Sequence, residues 1–316
     1  MSAAAPTPFA GPLAATAAGL TFQNPVLLAA GTAAYGRELA DVVALDALGG
    51  LVTKAVSLEP RAGASAPRVA DFGDGMINAV GLANPGVAEV KAHHLPWLAA
   101  TLTRARVLVN VVGRVVEEFG DVVAALEDAP GVHAFELNVS CPNTRAGGLE
   151  FGADPASLDA VVRRARAATR RALFVKLSPT LPDVGDAARR AVDAGADGIT
   201  VVNTMPGLVI DVATRRPVLG YGTGGVSGPG LRPVGVLATW RVRQAVRAPI
   251  IGAGGVATAE DALQYLLAGA TLVAIGTAAL ANPRAPERLV RDLARWCAKH
   301  RIAHLADLVG TLEWPA

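Results

Sequence analysis

Eight short apolar runs rich in β-branched residues punctuate the chain, at 25–31, 50–56, 106–113, 132–141, 172–178, 198–204, 249–256 and 272–277. Amphipathic segments fill most of the gaps between them. Runs of this kind read as strands buried on both faces, and parallel strands need a crossover, usually a helix. Eight such units in series, with no second compositional regime, predict one (β/α)8 TIM barrel domain over residues 1–316, carrying extra hairpins and long loops at its ends. The alternative is an open doubly wound sheet. It is the weaker reading because 256–276 repeats the pattern of the earlier units instead of reading as a sheet edge. There Thr258, with Asp261 three residues on, starts a helix as a capping box; Leu263, Leu266 and Leu267 give it an apolar face, and Gly269 ends it. Leu158, Val161, Val162 and Ala165 make a second such face, with Arg163, Arg164 and Arg166 on the solvent side.

Composition removes several classes of function. With 52% hydrophobic and 18% charged residues, the chain can bury a large core and is not of the disordered class. A formal net charge of +2 gives no basis for a nucleic-acid or anionic-membrane surface. Pro6, Pro8, Gly11 and Pro12 interrupt any signal-peptide core, and no apolar run is long enough to span a bilayer. The expectation is a cytoplasmic protein whose residues 1–12 are poorly ordered. The cysteines, Cys141 and Cys297, form no CxxC, and His93, His94, His133, His300 and His304 form no HExxH, so no metal is expected.

Chemistry concentrates where the runs end. Glu136-Leu137-Asn138-Val139-Ser140-Cys141-Pro142-Asn143 reads as a strand stopped by proline, leaving a thiol and two carboxamides at its carboxyl end. A buried structural cysteine is the plainer reading of Cys141 alone. Its polar neighbours and the following Thr144-Arg145-Ala146-Gly147-Gly148 favour a reactive loop. Lys54 ends the second run, Asn110 lies in the third, Lys176 lies inside the fifth, and Asn203-Thr204 ends the sixth. Each lysine alone is as well explained by a structural ion pair; two at one barrel mouth are better explained by an anionic ligand. Ile251-Gly252-Ala253-Gly254-Gly255-Val256 and Ala274-Ile275-Gly276-Thr277 put glycines at the ends of the last two runs, where barrels often bind phosphate through backbone N–H groups; ordinary turn chemistry is the competing explanation. Gly222-Thr223-Gly224-Gly225 lacks the Lys-Ser/Thr of a P-loop and reads as loop. In 78–86, Asn78 and Asn84 are either turn formers or planar groups that read a flat, amide-rich substrate. Three connections are long: 13–23, read as a hairpin plugging the barrel bottom, 57–86 and 205–233.

Assembled, these motifs resemble the dihydroorotate dehydrogenases, and within them the catalytic subunits of the NAD-linked class 1B branch. The resemblance runs from Asn24-Pro25 to about Pro283 and includes Thr53-Lys54-Ala55, Asn78-Ala79-Val80-Gly81-Leu82, His94-Leu95-Pro96-Trp97-Leu98, Leu137 to Asn143, Val175-Lys176-Leu177-Ser178, Ser227-Gly228-Pro229 and both glycine ends. It implies oxidation of (S)-dihydroorotate to orotate in pyrimidine biosynthesis. It implies FMN held by Ala30, Lys54, Ala55, Asn110, Asn138 and Lys176, together with Val202, Gly228, Gly254, Gly255, Gly276 and Thr277. It implies substrate held by Lys54, by Asn78, Ala79, Val80, Gly81 and Leu82, and by Asn138, Asn143, Asn203 and Thr204, with Cys141 as the base. A thiol, with an unperturbed pKa of about 8.5, is a usable base near neutrality. Relatives often carry Ser at the position of Ala30, which takes one flavin contact into doubt. The resemblance also implies a homodimer inside a heterotetramer whose second subunit carries FAD and a [2Fe–2S] cluster and reduces NAD+.

Three other readings compete. A dihydropyrimidine dehydrogenase-like subunit would act on dihydrouracil, which lacks the carboxylate. A dihydrouridine synthase-like enzyme would act on tRNA; it should show a basic face and an RNA-binding extension, and the near-neutral charge and short tail after Pro286 argue against both. A non-catalytic flavin-binding subunit would have no need of a thiol at a barrel mouth.

Overall fold

The computed structural model describes residues 9–140 and 150–315. All eight expected runs form strands: β1 Val26–Leu28, β2 Gly50–Val52, β3 Arg106–Val111, β4 Ala134–Asn138, β5 Ala172–Leu177, β6 Gly198–Val201, β7 Ile250–Ala253 and β8 Leu272–Ile275. Each pairs in parallel with the next, and β8 returns to β1 through Val273↔Val26 and Ile275↔Leu28, so the barrel closes. The strands are shorter than the apolar runs because each run continues beyond the ladder into its loop. Val56, for example, still bridges Val111 although β2 ends at Val52.

Side chains alternate along these strands with period two. Leu27, Val52, Leu108, Phe174, Ile251 and Leu272 share the inner cluster. Leu28, Leu51, Val109, Leu173 and Ile250 join the helices in the outer one. The helices are α1 Leu95–Thr101, α2 Val116–Leu126, α3 Pro155–Ala167, α4 Val184–Asp193, α5 Arg232–Ala245, α6 Ala259–Ala268, α7 Thr277–Ala281 and α8 Ala285–His300. Between β1 and β2 the connection is made of turns and one 3-10 turn, Leu45–Ala47. On α3, Leu158, Val161, Val162 and Ala165 are buried as expected, while Arg164 reaches Asp121 at 2.7 Å and Arg166 reaches Asp197 at 2.8 Å. Helix α6 starts on the Thr258–Asp261 capping box and ends at Gly269, in the left-handed region. Its buried face differs from the expected one. Tyr265 is fully buried beside Leu263 and Leu266, and Leu267 is only half-buried.

Residues 13–23 plug the barrel as expected. Ala15–Ala17 pairs antiparallel with Leu20–Phe22, and Phe22, fully buried, packs into the inner cluster with Leu27, Leu108 and Phe174. The two other long connections leave the carboxyl ends of β2 and β6 and pair with each other. Met205–Gly207, Gly224–Ser227, Met76–Asn78 and Val69–Asp71 form, in that order, a four-stranded antiparallel sheet over the rim. The segment from Gly224 is therefore a strand and not the loop its glycines suggested. Glycine is needed there for close approach: a Cβ on Gly225 would stand 2.0 Å from Thr204 Oγ1.

Candidate active site

A cavity of about 580 Å³ opens at the carboxyl ends of the barrel strands, roofed by the rim sheet. Its floor is polar. Lys176, on β5, is 8% exposed, with Asn138 of β4 and Thr200 of β6 as its register partners. Lys54 stands two residues past β2 and also lines the cavity. Neither ammonium has a hydrogen-bond or ion-pair partner among the described residues. Lys176 is buried and Lys54 half-buried, and two like charges facing one cavity mark a place for an anion.

The carboxamides around the lysines are held in fixed orientations. Asn138 Oδ1 accepts from Asn203 Nδ2 at 3.2 Å and from the Ser140 backbone at 3.3 Å, which leaves its NH2 group for a ligand. Asn203 Oδ1 in turn accepts from the Thr204 backbone at 2.8 Å. Asn110 Nδ2 donates to Glu136 Oε1 at 2.7 Å, and its own backbone N–H donates to Thr53 Oγ1 at 3.2 Å. In the rim sheet, Asn78 Nδ2 donates to the Gly225 carbonyl at 3.2 Å.

The opposite wall is glycine backbone. Gly254 and Gly255 follow β7 with φ of 119° and 67°. A Cβ on Gly255 would meet the Gly228 carbonyl, the Arg232 backbone N and the Arg232 Cβ, all at 2.8 Å. Gly276 precedes α7, and Thr277 Oγ1 lies 2.8 Å from Ser227 Oγ, tying the end of β8 to the rim sheet. Tyr265 supports this wall from behind, its hydroxyl donating to the Gly254 carbonyl at 2.6 Å and the Ala253 carbonyl at 3.1 Å. Burial pushes its phenol well above the ordinary range, so the hydroxyl stays a donor.

The structure brings most of the expected site residues to this one cavity. Ala30, Lys54, Ala55, Asn110, Asn138 and Lys176 line it, as do Val202, Gly228, Gly254, Gly255, Gly276 and Thr277. Asn78, Val80, Leu82, Asn203 and Thr204 line it too. Ala79 and Gly81 alternate out of the lining: the Ala79 backbone donates to the Arg68 carbonyl at 2.8 Å, and Gly81 packs on the backbone of Ala64. Cys141 and Asn143 lie outside the described residues. The sequence reading gave no role to Glu136 or Tyr265. Glu136 carried a signal, as a carboxylate in an otherwise apolar run; Tyr265 carried none beyond helical spacing. Among the described residues no group of three or more His, Cys, Asp or Glu is placed to hold a metal ion, and no helix is long and apolar enough to cross a membrane.

Comparison with known proteins agrees with this geometry. Residues 12–296 match the family model described as dihydroorotate dehydrogenase. A protein of Pelobacter propionicus named dihydroorotate dehydrogenase B (NAD(+)), catalytic subunit, is 45% identical over 94% of this chain and 97% of its own length. One of the same name from Desulforudis audaxviator is 47% identical over 93% of this chain and 95% of its own. A protein of Solibacter usitatus, provisionally named dihydroorotate dehydrogenase A (fumarate), is 46% identical over 96% of this chain and 99% of its own. With a barrel of this form, a cavity at its expected end and likeness over nearly its full length, the chain belongs to the dihydroorotate dehydrogenase family.

Proposed function

We propose that this chain oxidises (S)-dihydroorotate to orotate in pyrimidine biosynthesis, using FMN bound in the barrel-mouth cavity. The observation that carries the reading is the pair of lysines, Lys54 and Lys176, without a partner among the described residues and set among orienting asparagines in the cavity of a family member. The cavity residues fit a flavin nucleotide. Backbone N–H groups near Gly254, Gly255, Gly276 and Thr277 suit a phosphate, and the bare Gly255 lets the backbone at Gly228 and Arg232 close up beside them. Lys176, Asn110 and Asn138 suit the polar edge of the ring, with Ala30, Ala55, Val202 and Gly228 packing around it. Bound FMN supplies the two-electron oxidant that accepts hydride from carbon 6 of the substrate.

The remaining work falls to side chains of this chain. Lys54 offers its positive charge to the substrate carboxylate. Asn78, Asn138, Asn143 and Asn203, with Thr204, offer donors and acceptors to the ring amides, and the loop through Ala79, Val80, Gly81 and Leu82 covers them. Cys141, as thiolate, removes the proton from carbon 5 and forms an S–H bond, so that the carbon 5–carbon 6 double bond can form as the hydride leaves. A partner subunit carrying FAD and a [2Fe–2S] cluster would supply the route by which the electrons reach NAD+. Two of the compared relatives bear NAD-linked catalytic-subunit names and one a fumarate name, and the NAD-linked reading follows the former. We place the complex, a heterotetramer around a homodimer of this chain, in the cytoplasm.

The test is anaerobic flavin reduction by the purified chain. Dihydroorotate should bleach the flavin and dihydrouracil should not. Cys141→Ala should keep FMN but bleach at least 100-fold more slowly near pH 7, the usual worth of a general base. Bleaching by dihydrouracil alone would move the substrate, and full-speed bleaching by Cys141→Ala would remove the thiol as base.

A further inference from the structure

One buried charge in the barrel has no role in the chemistry above. Of the described acidic residues, only Glu136 and Asp261 are buried. Asp261 caps α6 and is paired with Arg232. Glu136, 1% exposed on β4, has no cation at ion-pair distance among the described residues. Both of its oxygens accept: Oε1 from Asn110 Nδ2 at 2.7 Å, and Oε2 from Thr200 Oγ1 at 2.8 Å. These donors are neutral and themselves buried, at 1% exposure each.

The place of Glu136 in the barrel says what this charge faces. Strand neighbours two apart share a face, so Glu136 lies one layer, roughly 7 Å, beneath Asn138. Asn138 is the register partner of Lys176. The inner face is apolar beside Glu136 at Phe174, its register partner on β5, and below it at Ala134 and Leu108. The carboxylate thus stands between an apolar plug and a cavity floor that carries Lys176 and Lys54. Its hydrogen-bond partner Asn110 lines the same floor, and the Nδ2 bond to Glu136 fixes how its amide is turned there, with the oxygen and the second N–H uncommitted to Glu136. Barrels fill this level with apolar side chains, and replacing a buried charge by an apolar group is often neutral or stabilising. A charge kept there is better explained by the cavity than by the core.

We propose that Glu136 is a positioning and charge-balancing residue that sets the reduction potential of the bound flavin. The inference rests on the FMN reading above. A flavin ring gains negative charge on reduction, which Lys176 favours; a fixed carboxylate beneath the same floor opposes it. Two lysines alone would hold the reduced flavin so strongly that its electrons would be slow to leave. Glu136 offsets them, so that the site accepts a hydride and still releases the pair to the next acceptor. Unit charges roughly 7–10 Å apart at an effective dielectric of about 20 couple strongly enough to shift an equilibrium at least tenfold.

The experiment measures the FMN midpoint potential of the loaded chain against a reference dye, without oxygen, for wild type, Glu136→Gln and Glu136→Asp. Glutamine keeps the volume and can keep both hydrogen bonds, accepting from Asn110 and donating to Thr200. Glu136→Gln is expected to raise the equilibrium constant for reduction at least tenfold, about 30 mV for a two-electron couple. Flavin reduction by substrate should be as fast or faster, and reoxidation slower. Glu136→Asp, which keeps the charge, should stay near wild type; a merely structural role would move the two variants alike. An unchanged or lowered potential in a loaded Glu136→Gln overturns the proposal. If that variant does not fold, the double variant Glu136→Met/Thr200→Val removes the charge and one of its donors together, the same tenfold rise is expected of it, and an unchanged or lowered potential there is decisive. A wild-type chain that neither carries nor takes up FMN removes the FMN reading itself, and this inference with it.

Discussion

Tyr265 shows how a residue outside the cavity can govern it. Its ring is fully buried beneath the end of β7, and its hydroxyl is the hydrogen-bond donor to the Gly254 carbonyl. The Ala253 carbonyl also accepts from the Val202 backbone at 2.9 Å, so it is not left bare without the tyrosine. Among the described residues the Gly254 carbonyl has no other donor. Tyr265→Phe keeps the packing and removes that bond, at a cost of about 0.5–1.5 kcal/mol. Because Gly254 begins the proposed phosphate site, part of the loss should appear in FMN binding. We expect a lower melting temperature and an FMN dissociation constant raised up to about tenfold, where tenfold corresponds to about 1.4 kcal/mol. Titration of apo-protein with FMN checks this, and unchanged affinity would confine Tyr265 to the core. The lysines and asparagines of the floor were legible from sequence because polar side chains interrupt apolar runs. The tyrosine was not, since an aromatic at helical spacing looks like any core residue. Glu136 was visible as a charge within a run, but its partners Asn110 and Thr200 lie 26 and 64 residues away and come together only through the strand order.

At the scale of elements, the barrel strands and the plug were readable, and the rim sheet was not. Strands buried on both faces announce themselves as continuous apolar runs. The rim sheet joins Asn78 to Gly225 across 147 residues, and its segments are short and rich in glycine, so local pattern carries no trace of the pairing. Its strands exist because the two long connections leave the same end of the barrel. The plug makes the opposite point. Its alternation places Ala15, Ala17 and Phe22 against the inner cluster, where they close a bottom that would otherwise admit water. Phe22→Ala removes a fully buried ring and should destabilise the chain by about 3–5 kcal/mol. Chemical denaturation would show it as a lower midpoint. The cavity is at the other end, so FMN affinity measured well below that midpoint should hardly change. A loss below about 1 kcal/mol would mean that the hairpin is an ornament to the barrel and not its floor.

The whole molecule inherits one pH dependence from the plugged end. His133 stands just before β4, where its Nδ1 accepts from the Val107 backbone at 3.1 Å and Arg106 lies 3.3 Å from its Nε2. A protonated ring would turn donors toward donors on both sides. Burial first, and the Arg106 charge second, pull its pKa from 6.5 down to about 4. The unfolded chain therefore binds a proton at this residue near pH 6.5, whereas the folded chain binds it only near pH 4. Between those values unfolding takes up a proton, so the neutral ring's contribution to stability is full above about pH 6.5 and is lost as pH falls through about 4. His133→Gln can keep an acceptor for Val107 and has nothing to titrate. Wild type should then lose more of its denaturant midpoint between pH 7.5 and pH 4.5 than this variant does. Equal losses would mean that the ring opens to solvent before the barrel unfolds, and that the acid sensitivity of the fold comes from its carboxylates alone.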